Sequence, residues 1–279
     1  MFLGSVIYDK RRSLNLTQND LANGVCNQNT ISKMEKHSMT PQIDVLIKIC
    51  QRLDLSLNDV FSDFSSDTKN EQVFVLDSIE EDVLLNELDE VNEKLSLIKN
   101  NVDAKDNVQY DFIKGALEFQ KGNLEVSSFN LDKVLQGTKS DNTNIYTLIS
   151  YLIKGMIYQK QDHADIADYY CNLIAQSLKE NLNIANASGV EMLYLCNSLG
   201  QLYLNLKQYS NAESISKRGI EYANENHLSY FIDELSYLVA LSNKQDQGNK
   251  KEFEKYKDIS YYTAELLNNK KLQNKLQKD

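Results

Sequence analysis

A single proline, Pro41, and ten glycines in 279 residues leave this chain almost without the residues that turn a backbone sharply. Sandwiches, barrels and hairpin-rich folds need such punctuation every ten residues or so. The remaining solution is helices joined by short polar turns, so the fold class expected is all-α. A 42% apolar share supplies enough side chains for cores, and a length above the usual single-domain size predicts two domains.

Met1 to Asp20 contains Lys10, Arg11 and Arg12 but no continuous apolar stretch of a signal peptide, and no later segment has the uncharged length of a membrane span. A cytoplasmic protein with no membrane partner is expected. Cys26, Cys50, Cys171 and Cys196 are scattered, without a C-x-x-C pair or a nearby histidine ligand, and read as reduced core residues. The net charge of −10 is unevenly spread. Residues 1–64 hold seven basic and seven acidic side chains, so the entire excess lies behind them. A neutral front domain leaves room for a local basic face.

Helix signals recur from Phe2 to Phe61. Leu3, Val6, Ile7 and Leu14 form the stripe of a first helix ending near Asn15. Thr17 caps a second, with Asp20 placed for a capping box, and Gly24 and Asn27 break it. A third runs from about Gln28 to Lys36 around Ile31 and Met34. Thr40-Pro41 starts a fourth, with proline at its first position, carrying Ile43, Leu46, Ile47, Ile49, Cys50 and Leu53. Ser56 and Asp59 open a fifth.

The run Leu16-Thr17-Gln18, Leu21-Ala22, Ile31-Ser32-Lys33-Met34-Glu35-Lys36, Pro41 and Leu46 to Leu57 resembles the repressor-type helix-turn-helix domain of the Cro and lambda-repressor class, over residues 3 to 61. The turn between Leu21 and Ile31 is one residue shorter than in most such repressors, with Cys26 where glycine is usual. In this it resembles the PlcR branch of the peptide-pheromone regulators. In such a motif the start of the second helix enters the major groove. Here that start presents Asn27, Gln28, Asn29 and Thr30, of which Gln and Asn can bond adenine edges bidentately. Gln18 is expected at a phosphate, and Arg12, Lys33 and Lys36 at neighbouring phosphates. The resemblance pairs Glu35 with Arg11 or Arg12, a surface pair contributing about 0.5 kcal/mol.

Ser62 to Asn70 is polar and without helical period. It reads as the hinge, with a DNA-binding domain at 1–64, a linker at 65–70 and a second domain at 71–279. Three segments of that second domain align. Gly115, Gly122, Ser127, Leu131 and Val134 share their offsets with Gly155, Asp162, Ala167, Cys171 and Ile174, and with Gly200, Lys207, Ala212, Ser216 and Gly219. Tyr158 and Tyr203 add a further shared position. These offsets resemble the tetratricopeptide repeat, although the anchor glycines lie 40 and 45 residues apart rather than ~34. With degenerate flanking repeats at Glu71–Asn100 and Tyr230–Leu267, about five helix pairs are expected, and Leu272 to Lys278 reads as a frayed end. Stacked pairs form a groove suited to extended peptides. Projecting the repeat puts Phe112, Phe119, Met156, Gln159, Tyr194, Asn197 and Gln201 toward it, with Tyr237 from the next pair. Asn197 stands out, because an amide can bond a peptide's N–H and C=O together.

No phosphate loop, H-E-x-x-H or G-x-S-x-G occurs, and His37, His163 and His227 lack metal spacing. No catalytic residue, metal or cofactor is assigned. The two domains together resemble the PlcR/Rgg group of Gram-positive quorum-sensing regulators. That resemblance implies a homodimer that binds a short signalling peptide in the repeat groove and a palindromic double-stranded DNA operator. A repeat domain that docks another protein, or one that only dimerises, fits the same residues.

Overall fold

A computed structural model describes residues 2–278 apart from 15, 38, 62–66, 99–101, 103–105, 180–181, 183, 185–186 and 246–248, with the side chains of 37, 58, 67–74 and 245 also outside the description. Among the described residues there are fifteen α-helices, one 3-10 turn and an isolated antiparallel bridge between Phe2 and Phe61. The chain divides into two compact units, Met1–Phe74 and Val75–Asp279.

The first unit contains α1 (Gly4–Ser13), α2 (Gln18–Ala22), α3 (Gln28–His37) and α4 (Ile43–Leu53). Their apolar stripes meet in a core built on Ile7, Leu21, Ile31, Met34, Leu46, Ile49 and Leu53. Thr17 starts α2 as its residue type dictates. Its hydroxyl accepts from the Asp20 N–H at 3.1 Å, while the Asp20 carboxylate accepts from the Thr17 N–H at 2.8 Å. Two local expectations change. Pro41 lies two residues ahead of α4, because Gln42 takes the extended cap conformation and ends the preceding loop. The fifth helix is only one 3-10 turn, Asn58–Val60. Ser56 and Asp59 do form the expected reciprocal bonds, but Leu3 N–H then bonds Val60 O at 2.7 Å, drawing the chain out of helix into the bridge at Phe61. On α4, Leu46, Ile49, Cys50 and Leu53 face inward, whereas Ile43 and Ile47 are exposed.

Helix α5 (Asp67–Leu84) leads into the second unit. Positions 67–70, read from sequence as linker, are therefore helical, while 65 and 66 lie outside the described residues. Adding residues to an existing helix costs far less than nucleating one, and the Leu76, Ile79 and Val83 stripe further along α5 is buried. There follow α6 (Val91–Ile98), α7 (Asn107–Gln120), α8 (Leu124–Gly137), α9 (Ile145–Lys160), α10 (Ala164–Ser177), α11 (Gly189–Asn205), α12 (Tyr209–Glu225), α13 (Ile232–Gln245), α14 (Lys250–Leu266) and α15 (Lys270–Leu276). Helices α7 to α14 pack as four consecutive hairpins.

The shared offsets correspond to repeated geometry. Gly122, Asp162 and Lys207 all take left-handed conformations, with φ of 84°, 63° and 60°. Each ends the first helix of a hairpin in a Schellman-type closure, for which the N–H of Asn123, His163 and Gln208 bonds the carbonyl of Glu118, Tyr158 and Tyr203. The anchor glycines permit close approach. A Cβ at Gly200 would lie 2.7 Å from Ser216 Oγ, and Ser127 Oγ donates to Gly115 O at 2.8 Å. The expected frayed end is instead an ordered helix. Asn268, at φ 56°, stops α14, Asn269 caps the next turn by accepting from the Leu272 N–H, and Leu272 and Leu276 are buried beside Ala264, Tyr237 and Tyr261. Two leucines four apart supply the apolar stripe of a short helix, which a reading of the lysines alone overlooks.

Candidate functional site

The first unit builds a polar network across three helices. Arg11 on α1 donates from Nε and Nη2 to the two oxygens of Glu35 on α3, at 2.6 and 2.9 Å, and from Nη1 to Leu16 O at 2.6 Å. Gln18, the first residue of α2, donates to Glu35 Oε2 at 2.8 Å, and Gln28, the first residue of α3, donates to Gln18 Oε1 at 2.6 Å. The expected pair is thus Arg11–Glu35, and it is not a surface pair: the side chains are 5% and 1% exposed. A bidentate fork fixes both distance and plane. The consequence is positional, because the carboxylate orients Gln18, which in turn orients Gln28.

Around this network a cavity of about 450 Å³ is lined by Arg11, Arg12, Leu16, Thr17, Gln18, Asn19 and Gln28. Gln28 and Asn29 are exposed at the start of α3, and Lys33, Lys36 and Arg12 are exposed around it. Asn27 and Thr30 are engaged otherwise. Asn27 Oδ1 accepts from the Thr30 N–H at 2.8 Å and from its hydroxyl at 2.9 Å, which makes Asn27 the cap of α3 and commits the Thr30 hydroxyl proton to it. Gln28 and Asn29 are then the two exposed candidate readers, the Gln28 amide nitrogen being held by Gln18.

In the second unit, Met156 on α9, Asn197 and Gln201 on α11 and Tyr237 on α13 line a single cavity of about 180 Å³. Sequence reasoning brought these four together. It missed Glu234, Asn269, Lys271 and Lys275, which complete the wall together with Ser198, Leu238 and Leu272. Asn197 Nδ2 donates to Glu234 Oε2 at 2.7 Å, and Asn269 Nδ2 to Asp233 Oδ2 at 2.8 Å. Burial, then the neighbouring Asp233 carboxylate, hold Glu234 above the usual carboxylate range, with the Asn197 amide and Lys275 pulling the other way. The signal for α15 was present in the Leu272/Leu276 spacing, alongside Lys271 and Lys275 at the same interval.

Gln159 joins the edge of this group through Asn205, which donates to it at 3.4 Å and accepts from Gln201 at 3.2 Å. Three expected groove residues are placed elsewhere. Phe112 is fully buried against Tyr146, with ring centroids 5.2 Å apart. Phe119 is buried beneath Lys160, whose ammonium sits 4.4 Å from the ring centroid. Tyr194 is buried edge-on to Phe231. These three rings are consumed by packing between pairs, leaving Asn197, Gln201, Met156 and Tyr237 on the cavity wall. Burial pushes the Cys171 and Cys196 thiols up to about 12, so neither is a nucleophile near neutral pH.

Residues 7–60 match the helix-turn-helix family model. No curated protein sequence matches the chain. Among solved structures, it is similar to PlcR of Bacillus thuringiensis in complex with the peptide PapR7 and DNA, at 16% identity and a TM-score of 0.59 over 98% of each chain. It is also similar to ComR of Streptococcus thermophilus in complex with DNA and its signalling peptide ComS, at 12% identity and a TM-score of 0.55 over 98% of this chain and 97% of that one. The apo form of ComR from Streptococcus vestibularis gives 13% identity and a TM-score of 0.54, over 98% and 95%. The likeness is one of fold. It extends over nearly the whole chain, with the helix-turn-helix domain confined to residues 7–60.

Proposed function

We propose that this protein is a sequence-specific transcription regulator, controlled by a short peptide bound in the cavity between α9, α11, α13 and α15, and acting as a homodimer on a palindromic operator. The observation that carries this reading is the convergence of Asn197, Gln201, Met156 and Tyr237 on one cavity, in a chain whose separate first unit exposes Gln28 and Asn29 at a helix start. Solved relatives of the same fold hold a peptide and DNA together, which supports the assignment of both ligands. The mechanism needs only a peptide that binds one arrangement of the dimer better than another. A difference of about 1 to 3 kcal/mol changes operator affinity from several-fold to roughly hundred-fold.

The test is a gel shift on DNA flanking the protein's own gene, with and without synthetic peptides from small neighbouring reading frames. A specific shift that responds to one peptide is expected. Gln28→Ala and Asn29→Ala should each relax sequence preference by about 1 to 3 kcal/mol per lost base contact. Asn197→Ala should abolish the peptide response while leaving peptide-free DNA binding in place. Wild-type operator selectivity in both helix variants would remove α3 from the reading.

A further inference from the structure

A second cavity of the Val75–Asp279 unit, about 290 Å³, is lined by Asp77, Glu80, Glu81, Tyr146, Ser188, Val190 and Glu191. Four of its seven lining residues are acidic and none is basic. Among the described residues, the hydrogen bonds these carboxylates receive come from neutral donors. Gln109 donates to Asp77 and Glu80, each at 2.8 Å, Tyr146 OH to Glu80 Oε2 at 3.0 Å, Tyr230 OH to Glu81 at 2.8 Å, and the Ser188 N–H to Glu191 at 2.5 Å. Glu80 is only 5% exposed, yet its Oε1 has no hydrogen-bond partner among the described residues. Burial and the adjacent Glu191 carboxyl hold Glu80 well above the usual carboxylate range. A buried carboxyl oxygen without a donor is expensive; a proton shared with the Glu191 carboxyl relieves it at one extreme, and a bound cation relieves both carboxylates together. Among the described residues no group has the arrangement that holds a metal ion, whereas a cavity of this size lined by carboxylates has room for an organic cation.

We propose that this acidic cavity is a binding site for an ammonium or guanidinium group, supplied by the same peptide proposed to bind near Asn197. The site itself stands on the carboxylates; the source of its cation rests on the peptide reading. Tyr146 and Met156 lie ten residues apart on α9, so the two cavities are separated by about 15 Å along that helix. Some five extended residues cover that distance. The peptide would then be held at its middle or far end by the Asn197 amide and at one charged group by Glu80 and Glu191.

The site is tested on the full chain with small probes. Leucine amide carries the ammonium of a peptide's amino terminus, N-acetyl-lysine amide and N-acetyl-arginine amide carry side-chain cations, and N-acetyl-leucine amide is the neutral control. At least one cationic probe should raise the melting temperature of the second unit, by about 3 °C at tenfold saturation, and the probe that does so identifies the source. The neutral control should not. The Glu80→Gln variant should lose the shift, as should Asp77→Asn, which leaves the α11 cap intact, while Asn197→Ala should keep it. No shift with any cation, or a shift that survives in Glu80→Gln, would overturn the site and leave a proton shared between Glu80 and Glu191 as the whole explanation. Probe binding without any peptide effect on DNA would sustain the cavity and defeat the peptide reading. An operator-active peptide that binds Glu80→Gln as tightly as wild type would defeat the link between them.

Discussion

Replacing Glu35 by methionine removes three hydrogen bonds at once, two from Arg11 and one from Gln18. The guanidinium is left 5% exposed, with the Leu16 carbonyl as its remaining hydrogen-bond acceptor and the Tyr8 ring 5.4 Å away. Breaking one side of a buried pair costs about 3 to 5 kcal/mol. Because Arg11 keeps one strong acceptor and lies near the rim of a small unit, the lower end, about 3 kcal/mol, is expected. A unit of this size has about 4 to 10 kcal/mol of stability in total, so much of it would be gone. The double variant Arg11→Met/Glu35→Met should cost under about 1 kcal/mol, since apolar side chains of similar volume need no partner. The measurement is peptide-resolved hydrogen exchange of the full chain across a urea series, read on segments covering α1 and α3. Operator binding should fall in both variants, because Gln18 and Gln28 lose the carboxylate that orders them. If Glu35→Met alone costs less than about 1 kcal/mol, or the double variant costs the sum of the singles, the network is not the organising feature described above.

Gly219→Ala should destabilise the second unit by about 1 kcal/mol in thermal unfolding. The added Cβ would meet Cys196 Cβ at 3.0 Å and Leu235 at 3.1 Å, and overpacking of about 1 to 3 kcal/mol outweighs a helix-propensity gain of about 1. Conversely, Lys207→Gly at φ 60° should stabilise by about 0.5 to 1 kcal/mol, by relieving a left-handed lysine, and unchanged stability would count against the strain. Glu80 sets a pH dependence. Its folded carboxyl is raised, so its contribution is fully present below the unfolded carboxylate range and is lost as pH rises from there toward its own folded value. Urea midpoints from pH 4 to pH 8 should therefore fall more in wild type than in Glu80→Gln, and parallel curves would refute the assignment.

Much of this molecule was legible in one sequence because its signals are local. Thr17 with Asp20 and Ser56 with Asp59 act within one turn, and the offsets of Gly115, Gly155 and Gly200 repeat a contact made within each hairpin. The Arg11–Glu35 pair was legible from the family register, but not its burial, which depends on how α1, α2 and α3 close over it. The peptide-site candidates divided for a related reason. Helix α11 buries residues on nearly every side, from Val190 to Tyr203, so hydrophobic period could not tell which face meets a neighbouring pair and which meets a cavity. Phe112, Phe119 and Tyr194 went into packing; Asn197 and Gln201 did not.

The linear chain by itself determined that these segments are helical, where most of them start and stop, and that a small helix-turn-helix unit precedes a stack of hairpins. Those outcomes follow from hydrogen bonds and side-chain spacings spanning a few residues. What only the folded arrangement decided is the company each polar side chain keeps: Glu80 beside Glu191, Tyr230 on Glu81 across 149 positions, and α15 on the same cavity as Asn197. Such juxtapositions depend on the angle accumulated over successive helix pairs, a sum of small packing choices that no short stretch of sequence contains.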